Sequence, residues 1–314
     1  MRAAFVATIT ELAARDERIL LLTGDLGFMA LEPFSNRFPQ RFFNVGVAEQ
    51  NMVGLATGLA EAGYLPFVYS IAPFVALRPY EFIRNGPILH QLPVRIVGIG
   101  GGFEYGSAGP SHFCLEDVGV MRAQPGITVI TPADSHQTRT ALIATYDLSG
   151  PVYYRLGKDD KATVPGLDGR FALGQAEILG DGRDMLLIAM GSSALEATAA
   201  ADELAGSGVS CTVLVVGSVQ PAPLAMLSEV LGRFPVVVTI ESHYANGGVG
   251  SLVAEVIAEG GHRCRLIRCA VKERASGIAG SQAYLAHRYG ISRHEIVSIA
   301  LSALDDVPGP SMAR

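Results

Sequence analysis

Cysteine is scarce and scattered. The four present, Cys114, Cys211, Cys264 and Cys269, form no C-x-x-C pair, which argues against a disulfide framework and against a zinc site. Charge is scarce as well: charged residues make up 17% of the 314 and the net charge is −6, so the basic surplus of a nucleic-acid partner is missing. No apolar run approaches the roughly 18 to 20 residues of a membrane span. The N-terminal stretch MRAAFVATITELAARDER is no secretory signal, because Glu11, Arg15, Asp16 and Glu17 interrupt any apolar core; it reads as an amphipathic first helix. The expectation is a soluble, cytoplasmic protein with neither a nucleic-acid nor a membrane partner.

What is present is apolar and glycine-rich: 49% of residues are hydrophobic and 36 are glycine, the composition of a well-buried globular chain. At about 150 residues per domain the length suggests two domains. Short β-branched runs alternate with helical patterns. RILLLT (18–23), RFFNV (41–45), LPFVYS (65–70), VRIVGI (94–99), ITVIT (127–131) and PVYYR (151–155) read as strands, and segments near 3–14, 47–62, 74–91, 115–124 and 134–147 as helices. After a polar stretch, DMLLIAM (184–190), SCTVLVV (210–216), PVVVTI (235–240) and CRLIRC (264–269) read as strands, with helices near 192–206, 222–232, 248–259, 281–288 and 292–304. Strands apolar on both faces that alternate with helices imply parallel sheets covered on both sides. The fold class is α/β, two doubly wound, mostly parallel-sheet domains at 1–160 and 175–314 with a linker at 161–174. The last residues, DVPGPSMAR, read as a loose tail.

The most informative stretch is GVAEQNMVGLATGLA (46–60), which follows a strand and opens a helix. Glu49 sits in the first turn among apolar neighbours. By itself it is an ordinary helix-start glutamate, tolerated by the helix dipole; in apolar surroundings a carboxyl tends instead to hold its proton. TGDLG (23–27) precedes it, and YSIAPFVALRPYE (69–81), LPV (92–94), GPSH (109–112), TPAD (131–134) and VVTIESHYANGGVGS (237–251) follow. This ordered set resembles the pyrimidine-binding half, and then the C-terminal domain, of transketolases and deoxyxylulose-phosphate synthases, which use thiamine diphosphate. The resemblance covers nearly the whole chain.

The resemblance implies roles. Glu49 would contact a ring nitrogen of the cofactor's aminopyrimidine and favour the imino tautomer that generates the thiazolium ylid. Phe74 would stack on the pyrimidine; Asp25 and Leu26 hold the place of cofactor-edge residues. His112 would face the substrate oxygens and move protons. Arg155, Arg78 and Arg2 occupy positions of substrate-side or phosphate-contacting arginines, Arg2 lying 23 residues before Asp25; a guanidinium suits bidentate phosphate binding. Lys158 lies near Arg155 but matches no motif. Gly54 and Gly58, one turn apart, suit either helix–sheet packing or a close helix approach between subunits. Glu241, Ser242, His243 and the NGGVGS loop form a glycine-rich helix start, read as a tight turn or as an anion-binding end.

Two departures stand out. Many transketolases carry an Asp four residues before the motif His, where this chain has Ala108, and IGGGFEYGSAG (99–109) differs from both related groups. The usual sugar phosphates are therefore in doubt. The diphosphate-binding half is also missing: Gly180-Asp181-Gly182 has no downstream Asn pair and reads as a hairpin turn rather than a metal motif. The resemblance thus implies a partner, an N-terminal diphosphate-binding subunit of about 270 to 300 residues, the size of one to two domains. That subunit would hold Mg²⁺, or Ca²⁺ or Mn²⁺, in an α2β2 heterotetramer; this chain would hold no metal. The activity implied is transfer of a two-carbon ketol unit from a ketose to an aldose. The alternatives are the β subunit of a 2-oxo acid dehydrogenase and a non-catalytic assembly or regulatory paralogue.

Overall fold

The computed structural model describes residues 1–275 and 277–305; the tail expected at 306–314 lies outside them. In the first half, α1 (Arg2–Ala13) leads to β1 (Ile19–Thr23), α2 (Glu32–Arg37), β2 (Phe42–Asn44), α3 (Glu49–Glu61), β3 (Leu65–Ile71), α4 (Ala72–Leu77) and α5 (Tyr80–Ile83). Then come β4 (Arg95–Ile99), α6 (Asp117–Arg122), β5 (Thr128–Ile130), α7 (Ser135–Thr145) and β6 (Val152–Leu156). The second half runs β7 (Glu177–Leu179), β8 (Met185–Met190), α8 (Ser193–Gly206), β9 (Cys211–Val216), β10 (Ser218–Gln220), α9 (Leu224–Leu231), β11 (Val236–Tyr244), α10 (Val249–Gly260), β12 (Arg265–Val271), α11 (Gln282–Arg288) and α12 (Arg293–Asp305).

These strands form two sheets, ordered β10-β5-β6-β4-β3-β1-β2 and β12-β11-β8-β9-β7. Every pairing is parallel except β10 with β5 and β7 with β9. The inner strands ILLLT, RIVGI and VYYRL are buried at every position, because helices cover both faces of a parallel sheet. Arg95 is the exception in kind. Its guanidinium is fully buried and donates at 2.6 Å each to the Tyr146 and Gly150 carbonyls and also to that of Leu148, so it clamps the turn between α7 and β6. No helix among the described residues is long and apolar enough to cross a membrane.

Two expectations change. The helix expected over 74–91 is broken: Pro79 ends α4, and a π-helical turn over Arg84–Ile88 carries Pro87 inside it. Gly180-Asp181-Gly182 is no hairpin, since β7 pairs with β9 and the loop crosses to β8 on the far side of β9. The stretch 161–174, expected as the linker, packs against the first half. Val164 N–H donates to Asp134 Oδ2 at 2.9 Å, while the Arg170 carbonyl accepts from Gln137 Nε2 at 2.8 Å. The halves also interlock, because β10, from beyond that stretch, completes the first sheet, and Thr131 Oγ1 donates to the Val216 carbonyl at 3.0 Å.

Candidate active site

The first sheet reverses its winding at β1: the chain passes from β1 to β2 on one side, then through α3 to β3 on the other. The crevice outside the carboxyl ends of such strands is where doubly wound sheets bind ligands. Glu49, the first residue of α3, is placed in that crevice. Its carboxyl is 2% exposed, accepts from Ser70 Oγ at the end of β3 at 3.2 Å, and abuts the end of β1. Gly24 makes room for it: a Cβ there would lie 3.3 Å from the Gly46 carbonyl oxygen and 3.5 Å from Glu49 Oε1.

One edge of the crevice is built by a residue that sequence reading passed over. Asn44, the last residue of β2, accepts from the Asp25 and Gly46 backbone N–H groups at 3.0 Å each and donates to Asp25 Oδ1 at 2.9 Å. This brace holds Asp25 at φ 58°, a left-handed conformation that aspartate tolerates better than most residues. The Leu26 carbonyl is tied back to Thr23 Oγ1 at 2.9 Å. Asp25 and Leu26 thus flank the mouth of the crevice, with a small cavity of about 190 Å³ beneath them.

On the other edge a line of side chains runs outward from Glu49. Arg78 Nη1 donates to Glu49 Oε2 at 2.9 Å, and its guanidinium carbon stands 3.8 Å from the centre of the Phe74 ring. His112 meets the Phe74 ring edge-on at 5.1 Å, and its Nδ1 shares a 3.0 Å hydrogen bond with Ser111 Oγ. Tyr105 follows, its ring 6.5 Å from His112, and Lys158 Nζ lies 4.1 Å above that ring. Burial raises the pKa of the Tyr69 and Tyr105 hydroxyls, and the charge of nearby Arg2 opposes the rise at both. Glu49, Arg78, Phe74 and His112 are therefore gathered in one line, continued by Tyr105 and Lys158, which the motifs did not single out; the Arg2 charge reaches Tyr69 and Tyr105.

Arg155 is not in that cleft, which corrects the phosphate-contacting role expected of it. Only 7% exposed, it donates through Nε to Asp117 Oδ2 at 2.9 Å and through Nη2 to the Cys114 and Ser242 carbonyls at 3.0 and 2.9 Å. Asp117 also accepts from Tyr153 OH at 2.7 Å. Burial is the largest single influence and pushes the Asp117 carboxyl up, but the Arg155 charge, His243 and the hydrogen bonds from Tyr153 and Arg155 together hold the group below the usual carboxylate range. Lys158, three residues further on, stands over the Tyr105 ring, where its Nζ donates to the Glu104 carbonyl at 3.2 Å.

The glycine-rich helix start of the second half is also filled from within. Glu241 takes the Val249 and Gly250 N–H groups at 2.8 and 2.9 Å, so the positive end of α10 holds this chain's own carboxylate. Next to it, His243 is fully buried; its Nδ1 can only donate to the Tyr244 carbonyl, 2.7 Å away, which leaves Nε2 to accept from Gly119 N–H at 3.2 Å. Gly54 packs 3.8 Å, measured from a built Cβ, from the Phe82 ring, whereas nothing lies within 4 Å of Gly58. Among the described residues no group of three or more His, Cys, Asp and Glu side chains is placed to hold a metal.

Comparison with known proteins accords with this arrangement. Residues 1–162 match the family described as transketolase, pyrimidine binding domain, and residues 174–296 the family described as transketolase, C-terminal domain. An apulose-4-phosphate transketolase subunit of Actinobacillus succinogenes is 35% identical over 272 residues, 87% of this chain and 88% of that protein. The 6-deoxy-6-sulfo-D-fructose transketolase subunit of a Clostridium species is 34% identical over 307 residues, 96% of this chain and 93% of that protein. A solved structure described as a split gene transketolase, inactive beta4 tetramer, is 34% identical, superposes with a TM-score of 0.87, and is matched over 97% of this chain and 98% of its own.

Proposed function

The chain belongs to the transketolase family, and on that premise we propose that it is the catalytic β subunit of a split, thiamine-diphosphate-dependent transketolase. It would transfer a two-carbon ketol unit from a ketose donor to an aldose acceptor. The observation that carries the reading is the Glu49 carboxyl, buried at the winding reversal beside the face of Phe74. An aminopyrimidine needs a carboxyl at a ring nitrogen and an aromatic face to lie on, and this chain offers both within one crevice. Asp25 and Leu26 would border the cofactor from the other edge.

When bound, thiamine diphosphate supplies the carbon nucleophile that carries the two-carbon unit. The work of this chain is positional and protonic. Glu49, screened from water, holds a proton at the pyrimidine nitrogen; Phe74 fixes the ring plane. His112 faces the space in front of them and suits proton exchange with substrate hydroxyls. Lys158 and Arg2, flanking Tyr105, suit an anionic group at the far end of the sugar. Two of the relatives named above act on sugars bearing a phosphate or a sulfonate, which supports an anionic ketose as substrate. Ala108 argues that its hydroxyl pattern is not that of the common sugar phosphates.

The diphosphate and its metal, Mg²⁺, Ca²⁺ or Mn²⁺, would be held by an N-terminal partner subunit in an α2β2 assembly. The inactive homotetramer of the split-gene relative supports the view that this chain needs such a partner. The test is Glu49→Gln in the assembled complex. The amide keeps the shape but cannot exchange the proton, so assembly persists while turnover falls by about 10²-fold or more, the usual scale for a lost general acid–base group. Wild-type turnover in that variant would overturn the assignment.

A further inference from the structure

The geometry points to Arg78 as a stand-in for the cofactor's aminopyrimidine: its guanidinium and the pyrimidine ring take the same two contacts, so one must leave before the other can bind. This rests on the reading that the chain binds thiamine diphosphate through Glu49 and Phe74. A guanidinium is flat, delocalised and edged with N–H donors, the same description in outline as an aminopyrimidine. In the structure it satisfies both halves of the expected pyrimidine site at once. Nη1 donates to Glu49 Oε2 at 2.9 Å, and the guanidinium carbon lies over Phe74, 3.8 Å from the ring centre.

That spacing is van der Waals contact, and one face of Phe74 accommodates one planar group at such a distance. The ring cannot turn away to offer a second face freely, because His112 is packed edge-on against it at 5.1 Å. Glu49 Oε1 is turned to Ser70, which leaves Oε2, the oxygen that Arg78 holds, for a new donor. The two partners of the pair are unequally placed. Glu49 is 2% exposed and fixed at a helix start, whereas Arg78 is 42% exposed and sits at the break between α4 and α5. The arginine is the member that can swing out. Among the described residues Glu49 is its hydrogen-bonding partner and Phe74 its aromatic one, so the same side chain both compensates the buried carboxylate and guards the subsite. Once displaced, Arg78 would stand beside His112 and Lys158 with its charge turned to the substrate side, which reconciles its position here with the substrate-side role implied by its motif.

The test measures cofactor binding rather than turnover. The complex is assembled from the diphosphate-binding partner and either wild-type chain, Arg78→Gln or Arg78→Lys. Association rates for thiamine diphosphate are read by stopped-flow and dissociation constants by calorimetry. Arg78→Gln should bind faster and tighter by about tenfold, equivalent to about 1.4 kcal/mol. Arg78→Lys, which keeps the charge near Glu49 but offers no plane to Phe74, should fall between the two. In the chain alone, Arg78→Gln should lower the melting temperature, since a buried carboxylate loses its counter-charge. Tighter binding with a less stable chain is a pairing that a purely structural arginine would not give. Binding that is unchanged or weaker in Arg78→Gln, while wild type binds normally, overturns the stand-in and leaves the function standing. A wild-type complex that takes up no thiamine diphosphate overturns both.

Discussion

Replacing Asp117 by Asn should cost this chain about 3 to 5 kcal/mol of stability, the range measured when one partner of a buried ion pair is removed. The structure gives the reason for the high figure. Asp117 and Arg155 are almost wholly shielded, at 0% and 7% exposure, and no solvent can take over the role of the lost carboxylate. The amide is neutral, so the Arg155 guanidinium remains buried with its charge uncompensated, and Tyr153 OH loses its charged acceptor. The contrast is Arg233–Glu229, exposed on both sides, where a similar change should cost about 0 to 1 kcal/mol. Urea denaturation of the full chain, with both substitutions made separately, measures the difference directly. Arg155→Met should cost a comparable amount, and the double variant Asp117→Asn/Arg155→Met should cost well under the sum, because the two losses share one interaction. If Asp117→Asn lies within about 1 kcal/mol of wild type, the pair is not the buried, mutually dependent unit argued here.

Other outcomes follow from the same contacts. His112→Ala should slow turnover by about 10²-fold or more and blur discrimination between sugars, while leaving cofactor affinity unchanged; an unaltered substrate profile would remove it from the substrate side. Lys158→Ala should raise the KM for a phosphorylated or sulfonated ketose by about tenfold or more, the scale of a lost charge-assisted bond, and leave its uncharged analogue almost untouched; equal effects would place the anion elsewhere. For His243, burial lowers the pKa from 6.5 to about 4. The unfolded chain therefore binds a proton that the folded chain refuses, and stability is lost as pH falls from about 6.5 towards 4, by on the order of 3 kcal/mol in full. Glu241 runs the other way: burial raises it from 4.5 to about 7, so its contribution is lost as pH rises through that window. His243→Gln should accordingly leave a chain whose stability, by urea titration from pH 4.5 to 7, declines with rising pH; a slope identical to wild type would refute the assignment.

The parts of the fold legible in the sequence were those with a local cause. Runs such as RILLLT and PVVVTI have apolar centres, Ile19–Leu22 and Val236–Val238, because both faces are covered, and they appear as β1 and β11 where expected. The strands that escaped, β7 and β10, are three residues each, with sequences EIL and SVQ, and pair antiparallel at sheet edges, so neither an apolar run nor length marks them. Prolines decided the one misread helix. At the site, Glu49 and His112 stood out because each lies within a recognisable run, and Phe74 and Arg78 share another. Lys158 and Asn44 carry no motif, and nothing near Arg155 announces Asp117, 38 residues earlier. Whether an arginine at a strand end faces a ligand or an internal carboxylate is settled by which distant element packs over it.

That buried pair also accounts for the loop that departs most from the family pattern. Gly101 and Gly102 lie against it or its partner: a Cβ on Gly101 would stand 2.5 Å from Arg155 Nε, and one on Gly102 would stand 2.1 Å from Ser242 Oγ, whereas one on Gly100 would meet the Tyr105 ring at 2.2 Å. Gly100 and Gly102 also hold φ values of 77° and 65°, open to glycine with little strain. Gly101 and Gly102 are thus explained by the passage of a guanidinium between the halves, from Asp117 to the Ser242 carbonyl, and Gly100 by the close approach of the Tyr105 ring. The same guanidinium holds the Cys114 carbonyl two residues after His112, and its own strand delivers Lys158. His112 and Lys158, the groups proposed to meet the substrate, are therefore both indexed to one buried charge that also touches the second half. Residues that choose the sugar should then be sought among Tyr105, Ala108, His112 and Lys158, since a change at Gly101 or Gly102 disturbs the anchor first, while one at Gly100 would act through Tyr105.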